Sequence, residues 1–85
     1  MTIHTTKTFD KQYKKLDKKI QMAFEVRIEF FRHNIFDQQL RNHGLHGKYL
    51  GYRSIDITGD VRALYTIVHG EVYLFGFIGT HSQLY

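Results

Sequence analysis

Apolar positions fall into two rhythms along the chain, and the change between them divides it. From Phe9 onward Phe9, Tyr13, Leu16, Ile20, Phe24, Ile28 and Phe31 recur every three or four residues with lysines between them, the spacing of one helix face. Thr8 is placed to cap the start, and Asp10 suits the first turn. A single rod over residues 8–33 would run roughly 39 Å at 1.5 Å per residue. That exceeds the diameter of roughly 30 Å expected for so small a compact chain. The rod must therefore bend, and Asp17, able to cap a second helix just after Leu16, is the place. In the second helix Met22, Val26 and Phe30 add an apolar stripe beside Phe24, Ile28 and Phe31, as if it packed on a sheet and on another helix at once.

The second rhythm belongs to strands. Tyr49 to Ile57, Val61 to Val68 and Val72 to Ile78 are β-branched and aromatic runs. Thr58-Gly59-Asp60 and His69-Gly70 separate them as short hairpin turns, giving an antiparallel meander. Residues 2–6 are a short β-prone stretch that can join the same sheet, residues 34–47 read as a connecting loop, and residues 79–85 read as an irregular tail. The order β-α-α-β-β-β predicts one α+β domain over residues 1–85, an antiparallel sheet with a helical hairpin on one face. Alternation along the first strand of the meander puts Tyr52, Ser54 and Asp56 on one side and Arg53, Ile55 and Ile57 on the other.

Composition narrows the function. At 42% apolar the chain is too hydrophobic for a disordered tail, and without cysteine it has neither a disulfide staple nor a thiolate. Its longest apolar run, residues 73–78, is far too short to span a membrane, and Met1-Thr2-Ile3-His4 lacks the layout of a signal peptide. The expectation is a soluble, cytoplasmic protein. Formal net charge is +4, and the excess is one-sided: residues 1–41 hold nine Lys and Arg against five Asp and Glu, residues 42–85 three against three. A lysine-rich first helix of this kind suits a polyanion or an acidic protein partner, and equally a solvated face. His43 and His46 stand three apart, but with no cysteine and no ordered carboxylate set the spacing falls short of a metal site, and no cofactor is expected.

Three stretches together are more specific. Leu45-His46-Gly47-Lys48-Tyr49-Leu50-Gly51-Tyr52-Arg53, Gly59-Asp60-Val61-Arg62-Ala63-Leu64-Tyr65 and Ile78-Gly79-Thr80-His81-Ser82-Gln83-Leu84-Tyr85 resemble, in order, the RelE superfamily of bacterial toxins, and most nearly its YafQ-like mRNA interferase branch. The resemblance implies a RelE-like fold and the toxin of a type II toxin-antitoxin system. It further implies a metal-free endoribonuclease that cleaves mRNA in the ribosomal A site, with the 2′-hydroxyl attacking its own 3′-phosphate. It also implies a cognate acidic antitoxin, and the ribosome with its mRNA as target.

Carried over residue by residue, His81 matches the tail histidine that moves a proton, a task suited to an imidazole at neutral pH. Arg62 matches the strand arginine that holds the scissile phosphate, and Tyr85 the terminal aromatic that meets a base. His43 lies where the branch keeps a loop histidine, Asp60 where it keeps an acid after the turn, and Arg53 where it keeps a strand cation. Lys48 and the helix lysines Lys14, Lys15 and Lys18 are candidates for RNA contact. Asp56, Val61 and Phe77 replace a histidine, a tryptophan and an arginine of the branch, which makes Asp56 a candidate stand-in on the RNA side. Taken singly, Asp60 is equally a turn residue and the tyrosines are ordinary strand aromatics. Two other classes share the fold or its surface: a ParE-like toxin that inhibits DNA gyrase without nuclease chemistry, and an RNA-binding module that has lost activity.

Overall fold

The computed structural model describes residues 1–85. Its elements are β1 (Thr2–Thr5), α1 (Lys7–Lys14), α2 (Lys18–His33), β2 (His43–Gly44), β3 (Arg53–Asp56), β4 (Val61–Val68), β5 (Val72–Thr80) and α3 (His81–Leu84), with single 3-10 turns at Gln38–Leu40 and Gly47–Tyr49. The five strands lie in the order β1-β5-β4-β3-β2. β1 runs parallel to β5, and every other pairing is antiparallel. The meander and the helical hairpin stand as read from the sequence. Two elements are additional, the two-residue β2 and the one-turn α3.

The bend falls at Asp17, whose carboxylate accepts the Lys19 N–H and caps α2. Gln21 fastens it: its side-chain amide donates to the carbonyls of Tyr13 and Leu16, and its own carbonyl accepts the Tyr13 hydroxyl. Three positions differ from expectation. Thr6, not Thr8, caps α1, because its hydroxyl accepts the Phe9 N–H while donating to Gly76 across the sheet edge. β3 begins at Arg53, since Tyr49 is drawn into a 3-10 turn ahead of it. The Met22 and Val26 stripe of α2 faces solvent rather than a second helix, for α1 meets α2 through Phe24, which packs on Phe9 and Tyr13, and not through that stripe.

Both hairpin helices cover one face of the sheet. Phe9, Phe24, Ile28 and Phe31 from the helices interlock there with Ile55, Ile57, Val61, Ala63, Tyr65, Phe75 and Ile78. Phe75 is the hub, with its ring 5.3–6.1 Å from those of Phe9, Phe24, Phe31 and Tyr65. That Phe75 and Ile78 both face the helices breaks the period of two. A bulge explains it: Leu64 pairs with Phe77 and Tyr65 with Phe75, leaving Gly76 without a partner in β4. Phe77 is thereby turned to the opposite, helix-free face.

β1 pairs with β5 only as far as Phe75, so the rest of that edge needs other partners. Here α1 supplies them: Thr6 N–H donates to Phe75 O, Thr6 Oγ1 to Gly76 O, and Ile78 N–H donates to Gln12 Oε1. At the far edge Asn42 binds Ile35 O and the Tyr65 hydroxyl and accepts from Arg53 Nε, tying the loop before β2 to the core. Truncating Phe75 to Ala is expected to lower unfolding free energy by about 3–5 kcal/mol, the usual cost for a buried aromatic. Urea denaturation measures this, and a loss below about 1 kcal/mol would mean that Phe75 is not the hub.

Candidate functional site

The helix-free face is organised by two rows of cross-strand partners, whose side chains point the same way. One row runs His43, Ser54, Leu64, Phe77 across β2, β3, β4 and β5. The next runs Asp56, Arg62, Gly79 across β3, β4 and β5. Above them β5 passes into α3, which is not an irregular tail. Thr80 and Gln83 form a reciprocal capping box, the Thr80 hydroxyl accepting the Gln83 N–H and the Gln83 side chain accepting the Thr80 N–H.

Three further contacts fold α3 back over the sheet. His81 N–H donates to Asp60 O at 3.2 Å, the buried Tyr49 hydroxyl donates to Leu84 O at 2.8 Å, and Leu84 is buried against Tyr49 and Leu64. Gly79 makes the approach possible, because a Cβ there would stand 3.0 Å from Gln83 Oε1. The result is a cleft of about 340 Å³ lined by His43, Leu45, Ser54, Arg62, His81 and Tyr85.

Arg62 is held from several sides. Its Nε lies 3.0 Å from Asp56 Oδ1, and its Nη1 donates to the carbonyls of Thr58, Gly59 and Val61. Nη2 makes no hydrogen bond within the chain. Asp56 also meets Arg41 Nε at 3.6 Å, so two guanidinium groups surround one carboxylate and the local charge stays positive. His43 Nδ1 lies 2.9 Å from Arg41 O. A carbonyl can only accept, so Nδ1 carries the proton and the neutral ring keeps a lone pair on Nε2. The His81 ring packs on Tyr85 at 4.7 Å, and the Tyr85 ring meets Tyr49 edge-on at 5.4 Å. Burial pushes the Tyr85 phenol above 10.0, Tyr49 adds to this, and Ser54 and Arg62 pull the other way.

The remaining sequence candidates divide. Asp56 stays outside the lining and serves as the partner of Arg62 rather than as a separate group. Asp60 contributes its backbone carbonyl to α3 while its residue sits exposed in the turn. Arg53 is not brought to the cleft: β3 has no bulge, and the guanidinium lies on the other side over Phe36, bonded to Asn42 next to His43. Lys48 stacks on Tyr49 at 5.1 Å, outside the lining. Lys14, Lys15 and Lys18 are exposed at the hairpin bend; Lys15 lines a separate depression with Gln83, beside α3. Ser54 and Leu45 line the cleft without having been singled out. Alternation had put Ser54 on this side, but a lone serine carries no motif. No group of three or more His, Asp or Glu residues is placed to hold a metal ion.

Asp56→Ala would leave the half-buried Arg62 without its carboxylate, and a loss of about 1–3 kcal/mol of stability is expected. Equilibrium urea unfolding checks it, and no loss would mean the pair is fully screened by water. A second expectation concerns alkaline pH. Because the Tyr85 pKa is raised in the folded chain, its contribution is complete below pH 10 and is lost as pH rises through the folded value. Stability between about pH 9 and 11 should therefore decline less steeply in Tyr85→Phe than in the parent. Parallel slopes would rule out the shift.

Comparison with known proteins bears on this geometry. A family model described as the bacterial toxin of type II toxin-antitoxin system, YafQ, matches residues 1–85. No curated protein sequence matches. Among solved structures, YafQ from E. coli strain BL21(DE3) is 20% identical with a TM-score of 0.82, covering 98% of this chain and 96% of that one. The toxin chain of the E. coli DinJ-YafQ toxin-antitoxin complex is 21% identical, with a TM-score of 0.79 over 98% and 94%. A YoeB/ParE toxin from Agrobacterium tumefaciens is 20% identical, with a TM-score of 0.78 over 95% and 99%. These likenesses agree on the fold, and the match along the whole length settles the lineage: the chain belongs to the YafQ family of bacterial type II toxin-antitoxin toxins, within the RelE superfamily.

Proposed function

We propose that this toxin is a ribosome-dependent endoribonuclease that cuts mRNA at the cleft between α3 and the open sheet face. The observation that carries the reading is the convergence on one cleft of a positioned guanidinium, two imidazoles and an exposed aromatic ring, brought from β2, β4 and α3. Arg62 Nη2 is suited to a non-bridging oxygen of the scissile phosphate, and its rigid fork resists rotation when charge builds on phosphorus. The surplus positive charge from Arg41 and Arg62 around Asp56 favours that oxygen further.

The chemistry asks for two proton transfers. His43, with Nδ1–H anchored on Arg41 O, offers Nε2 to take the proton from the ribose 2′-hydroxyl. The freed oxygen attacks the adjacent phosphorus and forms a P–O2′ bond as the P–O5′ bond breaks. His81, when protonated, gives its proton to the departing O5′, so the products are a 2′,3′-cyclic phosphate and a 5′-hydroxyl. Tyr85, half-exposed beside His81, presents an aromatic face to a base. Lys14, Lys15 and Lys18 are exposed at the bend of the helical hairpin and would meet ribosomal RNA, giving salt-sensitive association. The same basic surface suits an acidic antitoxin, as the E. coli YafQ relative is held by DinJ.

The test is cleavage of a defined mRNA with and without ribosomes. The parent should cut only on ribosomes, leaving cyclic phosphate ends. His81→Ala and Arg62→Ala should each slow cleavage by at least about 10²-fold. A parent that cuts nothing where E. coli YafQ cuts would overturn the nuclease reading, and DNA gyrase would be the next target assayed.

A further inference from the structure

The floor of the cleft contains one polar group with nothing to bond. Ser54 is 1% exposed, and its Oγ has no hydrogen-bond partner anywhere in the chain. A buried hydroxyl left unpaired is destabilising, and folded chains hold few such groups. Nothing in the packing demands one here. On one side the row continues with apolar Leu64 and Phe77, and on the other His43 turns its Nδ1 to Arg41 O, so alanine at position 54 would fit the same wall. The hydroxyl is thus carried at a cost in the free protein, at a position that lines the cleft.

Tyr85 lines the same cleft and carries a hydroxyl able to meet that need. Ser54 pulls the Tyr85 phenol's pKa down, while no hydrogen bond of good geometry joins Ser54 Oγ to it in the free chain. Tyr85 is also the lining residue with most freedom. It is 48% exposed and is touched by rings only on two sides, by Tyr49 and His81. A change in χ1 of Tyr85 would carry the phenol toward Ser54 Oγ, and a base stacked on the open face of the ring would favour that seat.

We propose that Ser54 is a positioning residue for Tyr85: its buried hydroxyl is unpaired in the free toxin and bonds the Tyr85 phenol when RNA occupies the cleft. The bond would fix the ring against His81 while the phosphate is on Arg62. This rests on the nuclease reading above and adds to it a residue that acts through Tyr85 and not on the RNA. It also separates stability from activity at one atom, since Oγ weakens the free fold and serves only the bound one.

The test combines cleavage on ribosomes with thermal unfolding of the free protein for the parent, Ser54→Ala, Tyr85→Phe and the double variant, with E. coli YafQ as the positive control. Ser54→Ala should unfold at the same or a higher temperature than the parent. Its kcat should fall about 5- to 30-fold with KM little changed, the effect of one hydrogen bond made late. Tyr85→Phe should lose a similar factor, and the double variant should be no worse than the poorer single one. A Tm lowered by several degrees in Ser54→Ala would mean that the hydroxyl is already bonded, and overturns the proposal. So does unchanged cleavage, and so do losses that multiply in the double variant, which would place Ser54 on the RNA itself. A parent that fails to cut while the control cuts removes the nuclease reading and this proposal together, an outcome that no Ser54-specific failure produces.

Discussion

Gly76 has no partner in β4, and the sorting of the β5 side chains between the packed face and the helix-free face of this small sheet follows from that vacancy in the ladder. Without the bulge, β5 would alternate regularly, and Phe77 would share the face of Phe75 while Ile78 left the core. With it, Phe75 and Ile78 both reach the helices, and Phe77 turns to join Tyr49 and Tyr52 on the other side. Glycine also suits the position sterically, because a Cβ there would stand 3.0 Å from the Tyr52 ring and would require that ring to shift. Its carbonyl accepts the Thr6 hydroxyl, so the same residue that resets the strand anchors the start of α1. Beyond the bulge β5 continues to Gly79, and the second glycine lets α3 lie close. A four-residue helix has no stability of its own in water. It exists because the strand delivers it onto Tyr49, Leu64 and the Asp60 carbonyl.

The electrostatics of the cleft are built with similar economy. Arg62 extends from a half-buried strand position, where a guanidinium without partners would be costly. Asp56 and three backbone carbonyls meet that need and at the same time hold the group in place, leaving Nη2 without a partner. Asp56 alone would cancel the charge of Arg62. Arg41 offsets this, held in the left-handed region at φ 51° after the 3-10 turn, and its carbonyl also sets the His43 tautomer. One residue thus supplies both the compensating charge and the proton arrangement of a neighbouring imidazole.

How far the sequence foretold this depends on whether the signal was local. Asp17 as a cap, the hairpin turn at His69-Gly70 and the three meander strands each follow from residues adjacent in the chain, and the structure has them. The turn bears it out in detail, with φ positive at both His69 and Gly70. Thr6 and Thr8 offered the same capping chemistry two residues apart, and a tertiary bond to Gly76 decided between them. Thr80 and Gln83 carried the spacing of a capping box, so α3 was legible although it was read as irregular. The bulge was not legible, because a glycine within a strand gives no sign of which neighbours it will displace. Alternation did place Arg53 apart from Ser54 and Asp56, and the side chain lies behind the sheet, where it braces Asn42 next to His43. The family pattern named Arg62, His43, His81 and Tyr85, and all four line one cleft; it could not single out Ser54, whose interest lies in a hydrogen bond that is missing.

That last point bears on how such a small domain accommodates a site at all. With 85 residues the core is limited, and stability given up at the cleft must be recovered elsewhere. Recovery is concentrated on the helix side, where aromatic rings from α1, α2, β4 and β5 meet around Phe75. The open face carries the expensive features: an arginine on a strand, a buried hydroxyl without a partner and a helix too short to stand alone. The two faces share a single layer of backbone, so a substitution in β4 or β5 acts on both. Core changes at Tyr65 or Phe75 should therefore disturb the seat of α3 through the bulge between Leu64 and Tyr65, even though neither side chain enters the cleft.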